Sequence, residues 1–297
     1  MITARPGGPI VVVGRPRSGS RVVTALLRDA GVFMGRDLHP DTLDPLFMLH
    51  HFVAPVVTAP ASAGPECAPR DARLATLCRQ RLEEGLGRLC GDRPLRGPWG
   101  WKICETGLLI PLVKRLLPGA RFVHVIRDGR DVCVSLDGRF QLTGPRPPVW
   151  PATSLDGGRL EYYDFCRALT FGSGIIRRWH EIDLREPRER DEHRFALQMK
   201  SWRHCVERIR QDGRRQGDDY LELRYEALCR DPIGSARELL AWAGRSSDEA
   251  VARHARRVST RSIGAWRSAR CSPREARDLE RAFDEGSGLL GELGYLT

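Results

Sequence analysis

Lysine is nearly missing from this chain. Of its 48 basic residues only three are lysines, at positions 102, 114 and 200, and the other 45 are arginines. A bias this strong reflects composition, so abundant arginine does not by itself mark a nucleic-acid partner. The basic residues are also interleaved with acids, as in Arg185-Glu186-Pro187-Arg188-Glu189-Arg190-Asp191-Glu192, which reads as a solvated face. A C-x-x-C pair is missing too. The nine cysteines are scattered and odd in number, which argues against a disulfide frame or a zinc ribbon and for reduced thiols packed in a cytoplasmic protein. No apolar run approaches 18 residues, so a transmembrane helix is not expected. The first apolar run is short and lacks the pattern of a signal peptide. Internal repeats and heptad arrays are absent as well. What remains is 297 residues with a net charge of +10, long enough for a substantial core. That charge suits a polyanionic cofactor and an anionic acceptor.

The chemistry begins at the N-terminal end. Ile10-Val11-Val12-Val13 is an apolar, β-branched run that stops at Gly14, and a helical pattern (Val22, Val23, Leu26, Leu27) follows Gly19. A strand, a tight loop and a helix N-terminus present successive N–H groups to an anion, with the helix dipole behind them. Gly14-x4-Gly19 has the spacing of a phosphate-binding P-loop, but Ser20 stands where that loop carries its lysine. The loop is therefore built for phosphate without the lysine that ATP's terminal phosphates require. A second strand, Phe122-Val123-His124-Val125-Ile126, runs into Arg127, and Ser135 follows eight residues later. A strand-end arginine and a helix hydroxyl can converge on a further phosphate. Two anion sites on one sheet suit a nucleotide phosphorylated at both its 5′ and 3′ positions.

With these residues in place, the chain resembles the sulfotransferases that use 3′-phosphoadenosine 5′-phosphosulfate (PAPS). Pro16-Arg17-Ser18-Gly19-Ser20 is similar to their 5′-phosphosulfate loop, and Arg127 through Ser135 to their 3′-phosphate motif. Trp99-Gly100-Trp101-Lys102 resembles a strand that carries a lysine near the sulfuryl group. Leu223-Arg224-Tyr225-Glu226-Ala227-Leu228 and the tail from Ser262 to Tyr295 are further matches, in family order over residues 9 to 295.

The resemblance implies roles residue by residue. Arg17, Ser18, Gly19, Ser20 and Arg21 would hold the 5′ side of the cofactor, Arg127 and Ser135 the 3′-phosphate, and Tyr225 and Arg267 further parts of the nucleotide. Arg17 and Lys102 would meet negative charge during transfer. A base for the acceptor is harder to assign. Where some families carry a histidine two residues after the lysine, this chain has Cys104. Where others carry a glutamate well after the loop arginine, the residue twenty positions beyond Arg17 is Asp37. Asp37 is therefore the first candidate, followed by Asp44 and Glu105. His124, inside an apolar strand, reads as a core histidine. His50-His51 has no third metal ligand at credible spacing, so no metal is expected.

Alternation of strands (10–14, 99–103, 121–126, 220–224) with helices (19–30, 71–90, 106–117, 130–137, 161–180, 192–212, 232–243) implies a three-layer, P-loop-like α/β fold, a central parallel sheet flanked by helices. Residues 35–70 read as irregular, and Pro55, Pro60, Gly64, Pro65 and Pro69 make 55–70 a loop or lid. We expect a single domain over 1–297, with acceptor-binding insertions near 35–70 and 138–200. The activity expected is sulfuryl transfer from PAPS to a hydroxyl or amine of a small-molecule, carbohydrate or peptide acceptor, without nucleic acid. An ATP–magnesium kinase and an inactive nucleotide-binding scaffold are the alternatives.

Overall fold

The computed structural model describes residues 7–36, 38–59, 72–91, 97–135, 150–172, 179 and 181–296. Among these, four strands form one parallel sheet: β1 (Ile10–Gly14), β2 (Gly100–Lys102), β3 (Arg121–Ile126) and β4 (Tyr220–Arg224). Their order is β2-β1-β3-β4. In register, Val12 stands beside Lys102, Gly14 beside Val125, and Ile126 beside Arg224. The chain leaves β1 toward β2 on one side and returns from β2 to β3 on the other. That reversal places a crevice at the carboxyl ends of the strands, where open α/β sheets bind ligands.

Every residue of β1 is buried, as an uninterrupted apolar run in a parallel sheet requires. The strand period of two then divides the core. Ile10 and Val12 face a layer built from helix α1 (Ser20–Asp29) and later helices through Leu26, Leu27, Leu239 and Leu240. Val11 and Val13 face the opposite layer, with Trp101, Leu109, Leu197 and Ile209. The expected architecture is therefore present: a central parallel sheet with helices on both faces.

Two elements differ from the sequence reading. Residues 46–57, expected to be irregular, form a helical run: Leu46–Met48, a π-turn at Leu49–Val53, then Ala54–Val57. Proline misled the reading. Pro45 sits at the N-cap of the run, where proline is tolerated, and Pro55 lies at the start of its last turn, just beyond the π-turn. The helix expected over 161–180 spans Tyr162–Phe171 (helix α2 below) and stops at Gly172, whose φ is 41°. The acceptor-side stretches 60–71 and 136–149 lie outside the described residues. No helix among the described residues is long and apolar enough to cross a membrane.

Candidate active site

Each of the four strands ends in a residue or loop that the sequence singles out. After β1, the chain turns through Arg15-Pro16-Arg17-Ser18-Gly19 into α1. Arg17 has φ 83° and Gly19 φ 89°, two left-handed residues in one short loop. At Arg17 this conformation is strained, a feature that clusters at ligand clamps. At Gly19 a Cβ would meet the Tyr225 ring at 2.2 Å, so only glycine fits there. The buried Ser18 hydroxyl has no hydrogen-bond partner in the structure. A cradle a side chain would fill, an orphaned hydroxyl and the N-terminus of a ten-residue helix together fit a bound phosphate group.

β2 ends at Lys102, which is 4% exposed. Its Nζ lies 2.7 Å from Oδ1 of Asp44, so the structure joins two of the sequence-derived candidates in one ion pair. Burial works against the Lys102 ammonium, but Cys104, Asp44 and Glu105 outweigh it and hold its pKa above the usual value. Burial pushes the Cys104 thiol up to about 12, so near neutrality Asp44 supplies the counter-charge. The Cys104 sulfur lies 3.3 Å from Ser20 Oγ, tying the end of β2 to the start of α1. Glu105 follows at once and is partly buried. Burial, then the charge of Asp44, raises its carboxyl above the usual range, with Arg15 and Lys102 pulling the other way.

β3 ends at Arg127. Its guanidinium donates to the Arg17 carbonyl at 3.1 Å and to the Ser262 carbonyl at 2.6 Å, and it lies over the Tyr225 ring at 4.9 Å. Arg17 in turn donates to Ser135 Oγ at 3.5 Å. The loop after β1 and the segment from Arg127 to Ser135 thus touch directly. β4 leads directly into Tyr225, the first residue of the next helix, whose hydroxyl bonds Ser262 Oγ at 2.8 Å. Asp131, almost fully buried, accepts the backbone N–H groups of Gly264 at 2.8 Å and Trp266 at 3.1 Å, which straps the tail onto Arg127.

One cavity of about 620 Å³ collects these groups. Arg17, Gly19, Ser20, Arg21, Asp44, Lys102, Glu105, Arg127, Ser135 and Tyr225, all named from the sequence, line it. Ser18 lies just behind the lining. Arg267 does not line the cavity; it is exposed and lies over the Trp266 ring at 4.6 Å. Ser262 lines the cavity instead. Asp37, the first candidate base, lies outside the described residues. His124 is a core histidine: its Nδ1 is 2.7 Å from the Tyr220 hydroxyl, and burial lowers its pKa to about 3. Among the described residues no three His, Cys, Asp or Glu side chains cluster as a metal site.

Sequence reasoning passed over Arg15, Ser262 and an aromatic wall. Arg15 is 2% exposed, lines the cavity and donates to Gln198 Oε1 at 2.6 Å. A second arginine inside the Gly14-x4-Gly19 loop was its only signal. Ser262 and the wall of Trp150, Tyr162 and Phe165 are visible only after folding.

Comparison with known proteins gives one family match. The family model described as "Sulfotransferase family" matches residues 9–163, just over half of the chain. No curated protein matches. Among solved structures, a sulfotransferase from Mycobacterium avium is 16% identical over 97% of this chain and 77% of its own, with a TM-score of 0.48. The sulfotransferase domain of the Synechococcus PCC 7002 olefin synthase is 15% identical over 94% of each chain, with a TM-score of 0.46. A sulfotransferase from Mycobacterium tuberculosis is 13% identical over 95% of this chain and 77% of its own, with a TM-score of 0.47. The matched stretch holds the loop after β1, Lys102 and the segment from Arg127 to Ser135, and on that match the chain belongs to the sulfotransferase family.

Proposed function

We propose that this protein transfers a sulfuryl group from PAPS to a hydroxyl or amine of a small acceptor. The observation that carries the proposal is the convergence of Arg17, Lys102 and Arg127, from three strand ends, on one cavity. When bound, the donor supplies a sulfuryl group on a phosphosulfate anhydride. Gly19, Ser20 and the Ser18 hydroxyl are suited to its 5′ side, and Arg127 with Ser135 to its 3′-phosphate. Tyr225 covers Gly19 and supports Arg127.

During transfer a bond forms between the acceptor oxygen or nitrogen and sulfur, and the bond from sulfur to the 5′-phosphate oxygen breaks. Lys102 and Arg17 meet the negative charge that grows on that departing oxygen, a stabilisation that is strong in a site with little water. Asp44 orients the Lys102 ammonium. The acceptor's proton needs a carboxylate. Glu105, raised in basicity by its burial, takes that part among the described residues. Eight free thiols among the described cysteines suit a reducing compartment, so we place the enzyme in the cytoplasm.

Calorimetry with adenosine 3′,5′-bisphosphate and adenosine 5′-monophosphate tests the donor. Clear preference for the bisphosphate is expected, and equal affinity would overturn the 3′ assignment. Turnover of labelled PAPS that persists in EDTA is also expected. Loss of turnover with rescue by magnesium would point to a kinase instead.

A further inference from the structure

We propose that Arg15 holds an oxyanion of the acceptor, so that the second substrate carries a carboxylate or a similar group in addition to the hydroxyl that is sulfated. This inference rests on the sulfuryl-transfer reading and specifies its second substrate. Arg15 lines the cavity yet is only 2% exposed. An arginine keeps its charge wherever it lies, and its guanidinium offers five N–H donors. One terminal nitrogen donates to Gln198 Oε1 at 2.6 Å, and the Nε donor has no partner. No carboxylate among the described residues comes within ion-pair distance of it. Lys102, by contrast, is paired with Asp44, and Arg127 lies 3.8 Å from Asp131. A buried charge without a counter-charge is costly. Gln198 is neutral and leaves the Arg15 guanidinium uncompensated, a state that a bound anion removes.

The strand period decides which side of the cavity Arg15 serves. Val11 and Val13 face the layer of Trp101, Leu197 and Ile209. Arg15 continues that alternation and reaches the buried Gln198, on the long helix Arg194–Arg214 of the same layer. Arg17 and Gly19 instead meet Ser135 and Tyr225. Val12 stands beside Lys102 in register, so Arg15 and Glu105 each follow three residues on, along neighbouring strand ends. Burial raises the Tyr162 hydroxyl and the Cys166 thiol of α2, and the Arg15 charge acts against both rises. It also draws down the Glu105 carboxyl, which burial raises. Arg15 is therefore within electrostatic reach of α2 and of Glu105, the side on which the acceptor hydroxyl is proposed to lie. A guanidinium fork matches the two oxygens of a carboxylate. A hydroxy acid is then held at one end by Arg15 and presents its hydroxyl to Glu105 at the other.

The test uses the full chain loaded with adenosine 3′,5′-bisphosphate, which lacks the sulfuryl group, and titrates in 6-hydroxy-2-naphthoate or 2-naphthol by calorimetry. The carboxylate is expected to bind at least about tenfold more tightly, the effect of one charge-assisted hydrogen bond. Arg15→Met keeps an extended side chain and loses the charge; it should abolish that preference and leave naphthol and bisphosphate affinities unchanged. Arg15→Lys keeps the charge without the fork and should shrink the preference, which decides the matter even where the methionine variant does not fold. Equal or tighter binding of naphthol to the wild-type chain, no binding of the carboxylate, or a preference that survives Arg15→Met would overturn the proposal while leaving the donor site standing. PAPS titrated into the unloaded protein separates the other source of an oxyanion. If Arg15→Met weakens PAPS but not the bisphosphate, Arg15 serves the donor's sulfuryl group and the acceptor assignment falls. Failure of the bisphosphate to bind the wild-type chain would overturn the donor assignment and this inference with it.

Discussion

Lys102 and Glu105 lie three residues apart, the tasks proposed for them are opposite, and burial treats them differently. Removing a charged pair from water costs more than it returns unless the geometry is good, so the Lys102–Asp44 pair is poor evidence for stability and better evidence for function. Lys102→Ala is expected to lower kcat while leaving bisphosphate affinity nearly unchanged, and Asp44→Asn to lower kcat less. Equal loss of bisphosphate binding in Lys102→Ala would instead make the lysine a donor ligand. Burial raises the Glu105 carboxyl above the usual carboxylate range. A base must be ionised, so kcat should rise with pH through that raised value. Linkage has the opposite sign for stability. The folded state holds the proton longer than the unfolded one, so the Glu105 contribution diminishes as pH rises through that interval. Glu105→Gln is therefore expected to cut kcat by about 10²–10⁴-fold without lowering the thermal midpoint near neutrality. A variant with full kcat would move the base to Asp44 or Asp37. Arg127→Ala should weaken bisphosphate binding by about tenfold or more, the worth of a charge-assisted hydrogen bond, and leave the monophosphate nearly unaffected.

At the scale of elements, the loop after β1 and the tail strap depend on each other. Arg127 bridges them by donating to carbonyls of Arg17 and Ser262, and Asp131 fixes the strap by accepting two backbone N–H groups. Asp131→Ala leaves those two donors without a partner, at about 1–3 kcal/mol each if they stay buried. The variant is expected to have a lower thermal midpoint and faster hydrogen exchange at Gly264 and Trp266. Exchange unchanged at those amides would mean the strap is held by other contacts. Gly19→Ala combines a disfavoured backbone with a clash against Tyr225, so bisphosphate binding should be lost even where the fold survives.

For the whole molecule, the buried histidines set an acid limit. Burial lowers His124 to about 3 and His50 to about 4, from 6.5 in an exposed chain. Between those values the unfolded chain binds the protons and the folded chain does not. Stability is therefore present above 6.5 and falls as pH drops below it, with a slope approaching about 1.4 kcal/mol per pH unit for each group. The thermal midpoint should fall between about pH 7 and about pH 5. His124→Gln should flatten that fall; a slope unaltered by the substitution would locate the proton uptake elsewhere.

The sheet and the loop after β1 could be read from the chain because their signals are local. An apolar run of five residues with glycine at its end can be little other than a buried parallel strand turning toward a helix, and Ile10–Gly14 is that strand. Arg127 and Ser135 were likewise readable, since a strand end and a following turn fix both within a few residues. The pairing of Lys102 with Asp44, the strap from Asp131 to Gly264 and the aromatic wall were not. Each joins residues from separate elements, and side-chain type alone does not say which carboxylate will meet which ammonium. Pro55 likewise hid the end of the 46–57 helical run, because a breaker's effect depends on whether it falls at a helix start or inside one. Arg267 was named from the sequence and Ser262 was not, yet packing leaves Arg267 exposed and sets the Ser262 carbonyl against Arg127. Local patterning thus determined the strands and the anion loop. The choice among charged partners and the meeting of Trp150, Tyr162 and Phe165 on the cavity wall came from packing, because both depend on distances across the fold that no local pattern encodes.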